Sequence, residues 1–306
     1  MIGTLNNTSS FMKENNLKFK KKFGQNFLID KNILNNICIE SDITKEDFII
    51  EIGPGIGALT EYLCKYAGKV LSIEIDKTLV EPLKENLKEY SNFNLINDDF
   101  LKLDLKEIIE QYAENKNVKI VANLPYYITT PIITKILESQ TNIDTLTIMV
   151  QKEVADRLVA KEGTKEYGAI GLFVNYHSNL EKLFDVSPKC FLPQPKVYSS
   201  VIKLTVKTKK EKMKELVNCN INNGERFDDL TELEEKLLFN IIKSVFSSRR
   251  KTFLNSVGLN NYCGFDKEKF MVALKKINKD ENVRGEKLTL LEFMIITKIV
   301  NNLWKR

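Results

Sequence analysis

Residues 48–67 read FIIEIGPGIGALTEYLCKYA. A short apolar run, FIIEI, leads directly into Gly53-Pro54-Gly55-Ile56-Gly57-Ala58, and an amphipathic period begins at once. The pattern predicts a buried strand, a tight turn and a helix. Glycines in such a turn let backbone amides come close to a ligand at the positive end of the helix. The next apolar run, VLSIEI (70–75), contains Glu74, 21 residues beyond Gly53. A carboxylate there can accept both hydroxyls of a ribose.

Working outward, further strand-like runs occur at FNLI (93–96), VKIVA (118–122) and TLTIMV (145–150). Amphipathic stretches such as KTLVEPLKENLKEY lie between them. This alternation predicts βαβ units and a parallel sheet. Two more β-rich runs follow, GAIGLFVNYH (168–177) and SSVIKLTV (199–206). The segment 207–230 is charged and weakly periodic, and reads as a linker or surface insertion. Helical periods then dominate, in LTELEEKLLFNIIKSVF, KEKFMVALKKI and LTLLEFMIITKIVNNLW. The expected organisation is a disordered leader over 1–17, an α/β domain over 18–206, the linker over 207–230, and a small α-helical domain over 231–306.

A chain of 306 residues exceeds a single ordinary core, consistent with two domains. No apolar run approaches the roughly 18 residues of a membrane span. The first residues lack the apolar centre of a secretory signal and the arginines of an organelle-targeting segment. Five scattered cysteines without a CxxC pair, and a single histidine, argue against a disulfide framework and a metal site. They suit a cytoplasmic protein. His177 lies in an apolar run and reads as structural rather than as a catalytic base. Charge is uneven: residues 207–306 carry 21 Lys and Arg against 14 Asp and Glu, and KFKKK places four lysines within residues 18–22. Basic segments flanking a slightly acidic centre fit a polyanionic partner.

The nucleotide is less sharply specified. The glycine spacing satisfies G-x-G-x-x-A, so a nicotinamide or flavin cofactor stays open. Glu51 and Pro54 instead resemble the E-x-G-x-G-x-G turn of methyltransferases, which points to S-adenosylmethionine. Asp98 and Asp99 end the third strand, where a carboxylate can take the amine of the cofactor's adenine.

ANLPYYITT (122–130) ends the fourth strand, on the edge where open α/β sheets bind ligands. An exocyclic adenine amine is a poor nucleophile because its lone pair is delocalised into the ring. Two acceptors aimed at its hydrogens favour the pyramidal geometry that frees that pair. The Asn123 side-chain oxygen and the Leu124 carbonyl are suited to this, with Pro125 constraining the turn. Tyr126 offers a ring on which a base can stack, a contact worth roughly 1–3 kcal/mol.

With these pieces, and with KKFGQNFLID, MVQKEVADRLVAKEGTKEYGAI, FLPQPKV and SSRRKT in the same order, the chain resembles the ribosomal RNA adenine N6,N6-dimethyltransferases of the KsgA type. The resemblance runs from about Phe23 to the last helix. It implies a Rossmann-like class I methyltransferase domain followed by a small helical domain; the chain is expected to act as a monomer, without metal or membrane. It implies that Asn26 and Leu28 close over S-adenosylmethionine, with Gly53 and Gly55 in the floor, Glu74 on the ribose and Asp99 on the adenine. Asn123 is implied to span cofactor and target amine, and Phe191 to form a second aromatic wall facing Tyr126 across a flipped base. The implied substrate is a pair of adjacent adenosines near the 3′ end of small-subunit ribosomal RNA, each methylated twice on an assembling subunit. Lys20, Lys21, Lys22, Arg249, Arg250 and Lys251 are candidate RNA contacts, the last three beginning a helix-like run. Where the family's proline loop continues with an acidic residue, this chain has Tyr198. The rival expectations are an Erm-like methylase of large-subunit RNA, a non-catalytic RNA-binding factor, and a nicotinamide oxidoreductase.

Overall fold

The structure, a computed structural model, describes residues 2–15, 19–20, 24–218, 227–259 and 266–304. The chain divides into two compact units, Met1–Ala155 with Leu180–Val206, and Asp156–Asn179 with Lys207–Arg306. In chain order the helices are α1 (Leu5–Glu14), α2 (Lys31–Glu40), α3 (Ala58–Tyr66), α4 (Lys77–Asn86), α5 (Leu105–Tyr112), α6 (Thr129–Glu138), α7 (Lys152–Leu158), α8 (Ala169–His177), α9 (Lys209–Asn218), α10 (Glu232–Phe246), α11 (Phe253–Leu259), α12 (Lys267–Lys276) and α13 (Leu290–Trp304). The strands are β1 (Phe27–Leu28), β2 (Asp47–Ile52), β3 (Lys69–Ile73), β4 (Phe93–Ile96), β5 (Asn117–Asn123), β6 (Thr145–Gln151), β7 (Ser178–Val186), β8 (Phe191–Leu192) and β9 (Ser199–Val206).

The first unit is built on a seven-stranded sheet in the order β4-β3-β2-β5-β6-β9-β7. The five strands from β4 to β6 are parallel, and β9 runs antiparallel to β6. Strand β2 is buried along its whole length, as expected for a central parallel strand with both faces covered. From β2 the chain builds outward through β3 and β4, then returns to add β5 on the other side. The strand order therefore reverses between β2 and β5, and the crevice at their carboxyl ends is the place where such sheets bind ligands. Each turn leaving that edge is fixed locally. Asp76 caps α4 by accepting from the Thr78 amide, and Asp104 caps α5 through the Lys106 and Glu107 amides.

The second unit is helical, with a core that includes Leu238, Ile241, Phe253, Phe270, Phe293 and Ile296. Thr231 and Glu234 form a reciprocal capping box at the start of α10. The buried Glu234 carboxylate also accepts from Lys298 Nζ at 2.9 Å and Asn301 Nδ2 at 2.7 Å, which pins α13 to α10.

Four expectations are corrected. The leader is not disordered over residues 5–14: these form α1, capped by Thr4, with Thr8, Phe11 and Met12 buried at i, i+3 and i+4. That stripe suffices to dock a helix although the segment is polar on average. Residues 16–17 lie outside the described residues. The run 169–177 is the helix α8, not a strand; a short, continuously apolar stretch carries no period to separate the two. Residues 156–179 consequently group with the helical unit instead of the sheet domain. The supposed linker contains α9, with Met213 and Leu216 buried, followed by buried Phe227 and Leu230; residues 219–226 lie outside the described residues. Finally, Arg249, Arg250 and Lys251 occupy a turn after α10, and α11 begins only at Phe253.

Candidate active site

At the carboxyl ends of β2, β3 and β5 lies a cleft whose empty volume is about 1300 Å³, counting the open space at its mouth. The glycine turn forms one wall. Gly53 and Gly55 sit at φ +70° and +60°, in the left-handed region that side chains resist. The Gly55 amide donates to Glu74 Oε2 at 3.1 Å, and the Asp76 amide donates to Oε1 at 2.7 Å. Two backbone amides thus aim the Glu74 carboxyl, which is only 4% exposed. Burial pushes its pKa up to about 7 despite those bonds. Glu51, fully buried behind it, accepts from Thr60 Oγ1 at 2.7 Å and Ser72 Oγ at 2.6 Å; burial raises it likewise to about 7.

The far wall carries Asp98 and Asp99. The Asp99 amide donates to Asp98 Oδ1 at 2.6 Å, and Asp99 Oδ1 accepts from the Leu101 amide at 3.0 Å. Across the mouth runs the 24–28 segment. Its Asn26 carbonyl accepts from Asn123 Nδ2 at 3.1 Å, and this bond fixes the amide so that Asn123 Oδ1 remains an acceptor. Tyr126 is half-buried, its hydroxyl 2.8 Å from Ser199 Oγ, so the 123–128 loop and the start of β9 are tied together. Burial raises the Tyr126 phenol above its ordinary pKa, which keeps it neutral.

The cleft gathers Asn26, Leu28, Gly53, Gly55, Glu74, Asp99, Asn123, Leu124, Pro125 and Tyr126. Other candidates fall elsewhere. Phe191 does not line the cleft: it pairs with Leu28 between β8 and β1 and is 1% exposed inside the core of the first unit. A ring sealed by strand pairing and core packing has no face to offer a base. Lys20 is held by Asp76, with Nζ 2.7 Å from Oδ1, so its charge is already matched. Arg249 donates through Nη1 to the Lys165 carbonyl and through Nη2 to the Tyr167 carbonyl at 2.9 Å, stapling the 165–167 segment of the second unit. Arg250 and Lys251 are exposed in the same turn. Lys21 and Lys22 lie outside the described residues.

His177 is buried in the second unit, stacked on Phe239 with Lys212 Nζ 3.0 Å from its Nδ1. Burial, then the nearby lysines, lower its pKa to about 3, so it stays neutral. Among the described residues no cluster of His, Cys, Asp and Glu could hold a metal ion, and no helix is long and apolar enough to cross a membrane.

Sequence reasoning missed Gln25 and Tyr127 in the lining, and the role of Asp76 beside it. Tyr127, 59% exposed next to the half-buried Tyr126, is the second member of a Tyr-Tyr pair whose sequence does not say which ring faces solvent. Gln25 sits beside Asn26 in a motif already singled out, but nothing in the spacing points it at Asp76.

The lining also decides the cofactor class. It holds Glu51, Glu74, Asp98 and Asp99, and among the described residues no Lys, Arg or His. A pyrophosphate would face the carboxyls of Glu74, Asp98 and Asp99 with no cationic side chain among the described lining residues, so a dinucleotide fits poorly. S-adenosylmethionine, with its sulfonium and α-ammonium, suits that field. A Cβ placed on Gly53 would meet no heavy atom within 4 Å, so the turn leaves open space for a ligand to approach the backbone.

Comparison with known proteins agrees. A family model described as "Ribosomal RNA adenine dimethylase" matches residues 16–262. "Ribosomal RNA small subunit methyltransferase A" of Alkaliphilus oremlandii is 44% identical over 305 residues, covering 100% of this chain and 99% of that protein. Its namesake in Clostridioides difficile is 41% identical, covering 98% and 97%. The crystal structure of a dimethyladenosine transferase from Plasmodium falciparum matches with a TM-score of 0.71 at 25% identity, covering 90% of this chain and 97% of that one. The 23S rRNA methyltransferase ErmE, at 22% identity and a TM-score of 0.64, shares the fold. With more than half its length matched by the family model and relatives above 40% identity along nearly all of it, the chain belongs to the ribosomal RNA adenine dimethylase family, which are S-adenosylmethionine-dependent methyltransferases.

Proposed function

We propose that this protein methylates the N6 amines of two adjacent adenosines near the 3′ end of small-subunit ribosomal RNA, twice each, on assembling subunits in the cytoplasm. The observation that carries the reading is the Asn123 amide, turned by the Asn26 carbonyl so that its oxygen is left to accept from an amine at the rim of an acidic cleft. When bound, S-adenosylmethionine supplies an activated methyl group on a cationic sulfur. Glu74 holds the ribose, Asp99 the adenine, and Gly53 and Gly55 form the floor. In the first transfer Asn123 Oδ1 and the Leu124 carbonyl accept from the two N6 hydrogens and draw the nitrogen toward a pyramidal shape; in the second, the one remaining N6 hydrogen is held by one of these acceptors. Tyr126 stacks on the target base, and Tyr127 and Pro125 border it. No side chain with a pKa suited to a general base lies in the lining beyond the carboxyls. None is required, because the amine becomes cationic as it is methylated and then loses its proton readily. Catalysis here is alignment and dipole placement. Arg250 and Lys251 are exposed cations available for backbone phosphates.

Transfer of labelled methyl groups into undermethylated small subunits, read by nucleoside mass spectrometry, tests this. The expected product is dimethyladenosine at two neighbouring positions. Label confined to large-subunit RNA would overturn the substrate assignment, and no transfer to either would overturn the reaction.

Cofactor affinity should rise with pH. Glu74 ionises in the cofactor-free fold only near pH 7, whereas a ribose and a cationic cofactor favour its charged form. Kd for S-adenosylmethionine is expected to fall about tenfold between about pH 6 and pH 8, with net proton release on binding near neutrality. The folded pKa is raised above the unfolded value. The group's contribution to stability is therefore complete at low pH and lost as pH climbs toward 7, so the cofactor-free protein should melt lower at pH 8 than at pH 5. Calorimetric titrations in buffers of differing ionisation enthalpy read both protons and affinity; a pH-independent Kd would remove Glu74 from the ribose site.

A further inference from the structure

Asn26 and Leu28 are assigned to hold the cofactor from the 24–28 segment, and one carboxylate joins the chain around that segment to the Glu74 side of the cleft. Asp76 is 3% exposed and stands two residues beyond Glu74. Its Oδ1 accepts from Lys20 Nζ at 2.7 Å, from the Thr78 amide at 3.1 Å and from Thr78 Oγ1 at 2.8 Å. Its Oδ2 accepts from Gln25 Nε2 at 3.1 Å. Gln25 Oε1 in turn accepts from the Lys20 amide at 2.9 Å, so residues 20 and 25 are joined to each other as well as to Asp76. Lys20 Nζ also donates to Thr78 Oγ1 at 2.7 Å. On its main-chain side, Asp76 donates its N–H to Glu74 Oε1 at 2.7 Å. The same residue therefore grips the arm, caps α4 and aims the carboxylate assigned to the ribose.

We infer that Asp76 is a positioning residue for cofactor binding, clasping Lys20 and Gln25 so that the arm and Glu74 are held in register across the cleft. The inference rests on the cleft being the S-adenosylmethionine site. It assigns Lys20 to cofactor retention, not to RNA. Burial alone would favour a neutral Asp76, but hydrogen bonds from Lys20 and Thr78 outweigh it and hold the carboxyl below its usual pKa, so the clasp is ionic. A charge-assisted contact to a nearly buried partner is worth more than a surface ion pair. If the arm docks and undocks, loss of the clasp lowers the fraction of protein competent to retain cofactor, and apparent affinity falls by that fraction.

The test uses the full-length protein, with Lys20→Met, Asp76→Asn and the double variant. Asn caps a helix as well as Asp, so α4 keeps its start and the melting temperature should hardly move. S-adenosylhomocysteine is titrated calorimetrically, and KM for S-adenosylmethionine and kcat are measured on small subunits. Each single variant is expected to raise Kd and KM about tenfold with kcat at saturating cofactor unchanged, and the double variant to be no worse than Asp76→Asn alone. Lys20→Arg should restore part of the loss. Unchanged Kd in Lys20→Met, or a loss confined to RNA affinity, would overturn the clasp. So would losses that multiply in the double variant, because the two groups would then act separately. Failure of the wild type to bind S-adenosylhomocysteine would instead overturn the cofactor site, and the clasp with it.

Discussion

Replacing Asn123 with alanine is expected to lower kcat about a thousandfold while Kd for S-adenosylhomocysteine stays within a few fold of wild type. The asymmetry follows from what the side chain does at each end. Its Nδ2 donates to the Asn26 carbonyl, one bond among several that seat the arm; the bonds of Lys20 and Gln25 to Asp76 and the pairing of β1 with β8 remain without it. In the proposed role its Oδ1 accepts from the target amine, and an alanine methyl cannot replace it as an acceptor. The Leu124 carbonyl stays but cannot pyramidalise the nitrogen alone. An interaction strongest in the transition state should thus be lost without much change in cofactor binding. Parallel losses in kcat and cofactor affinity would show that Asn123 acts mainly as a clamp on the arm.

Much of the fold was legible because the central strands carry a signal that tertiary context does not contradict. FIIEI, VKIVA and TLTIMV are apolar on both faces, bounded by Gly, Asn or Gln, and all became inner strands of the sheet. Residues that emerge from strand ends inherit their position from the sheet, which is why Glu74, Asp99 and Asn123 fall on one rim. The misread parts share a different property. GAIGLFVNYH is as apolar as a strand, and only its packing among α10 and its neighbours makes it helical. The leader docks through a three-residue stripe too thin to register in average hydropathy. Lys20 and Arg249 read as free cations because sequence records a charge and not its partner; one is spent on Asp76, the other on two carbonyls. Phe191 illustrates the same limit for an aromatic, since its burial depends on β8 meeting β1 over 160 residues away.

The two glycines at the ends of the turn predict opposite failures, and the contrast separates binding from folding. Both have positive φ, +70° at Gly53 and +88° at Gly57, so alanine at either costs about 1–2 kcal/mol in backbone strain. At Gly57 the added Cβ would also lie 2.7 Å from Cδ1 of the buried Leu83, which must shift to admit it, and Gly57 does not line the cleft. Gly57→Ala should therefore lower the melting temperature clearly while the folded fraction still binds cofactor. At Gly53 the Cβ meets no protein atom within 4 Å and enters the space assigned to the ligand. Gly53→Ala should melt only a few degrees below wild type yet bind S-adenosylhomocysteine about a hundredfold more weakly, the effect of one methyl forced into a filled site. Thermal melts with and without ligand read both quantities in one experiment. If Gly53→Ala binds normally, the cofactor does not lie over this turn, and Glu74 and Asp99 lose their assigned partner; if its losses in stability and binding simply track those of Gly57→Ala, the turn shapes the fold and nothing more.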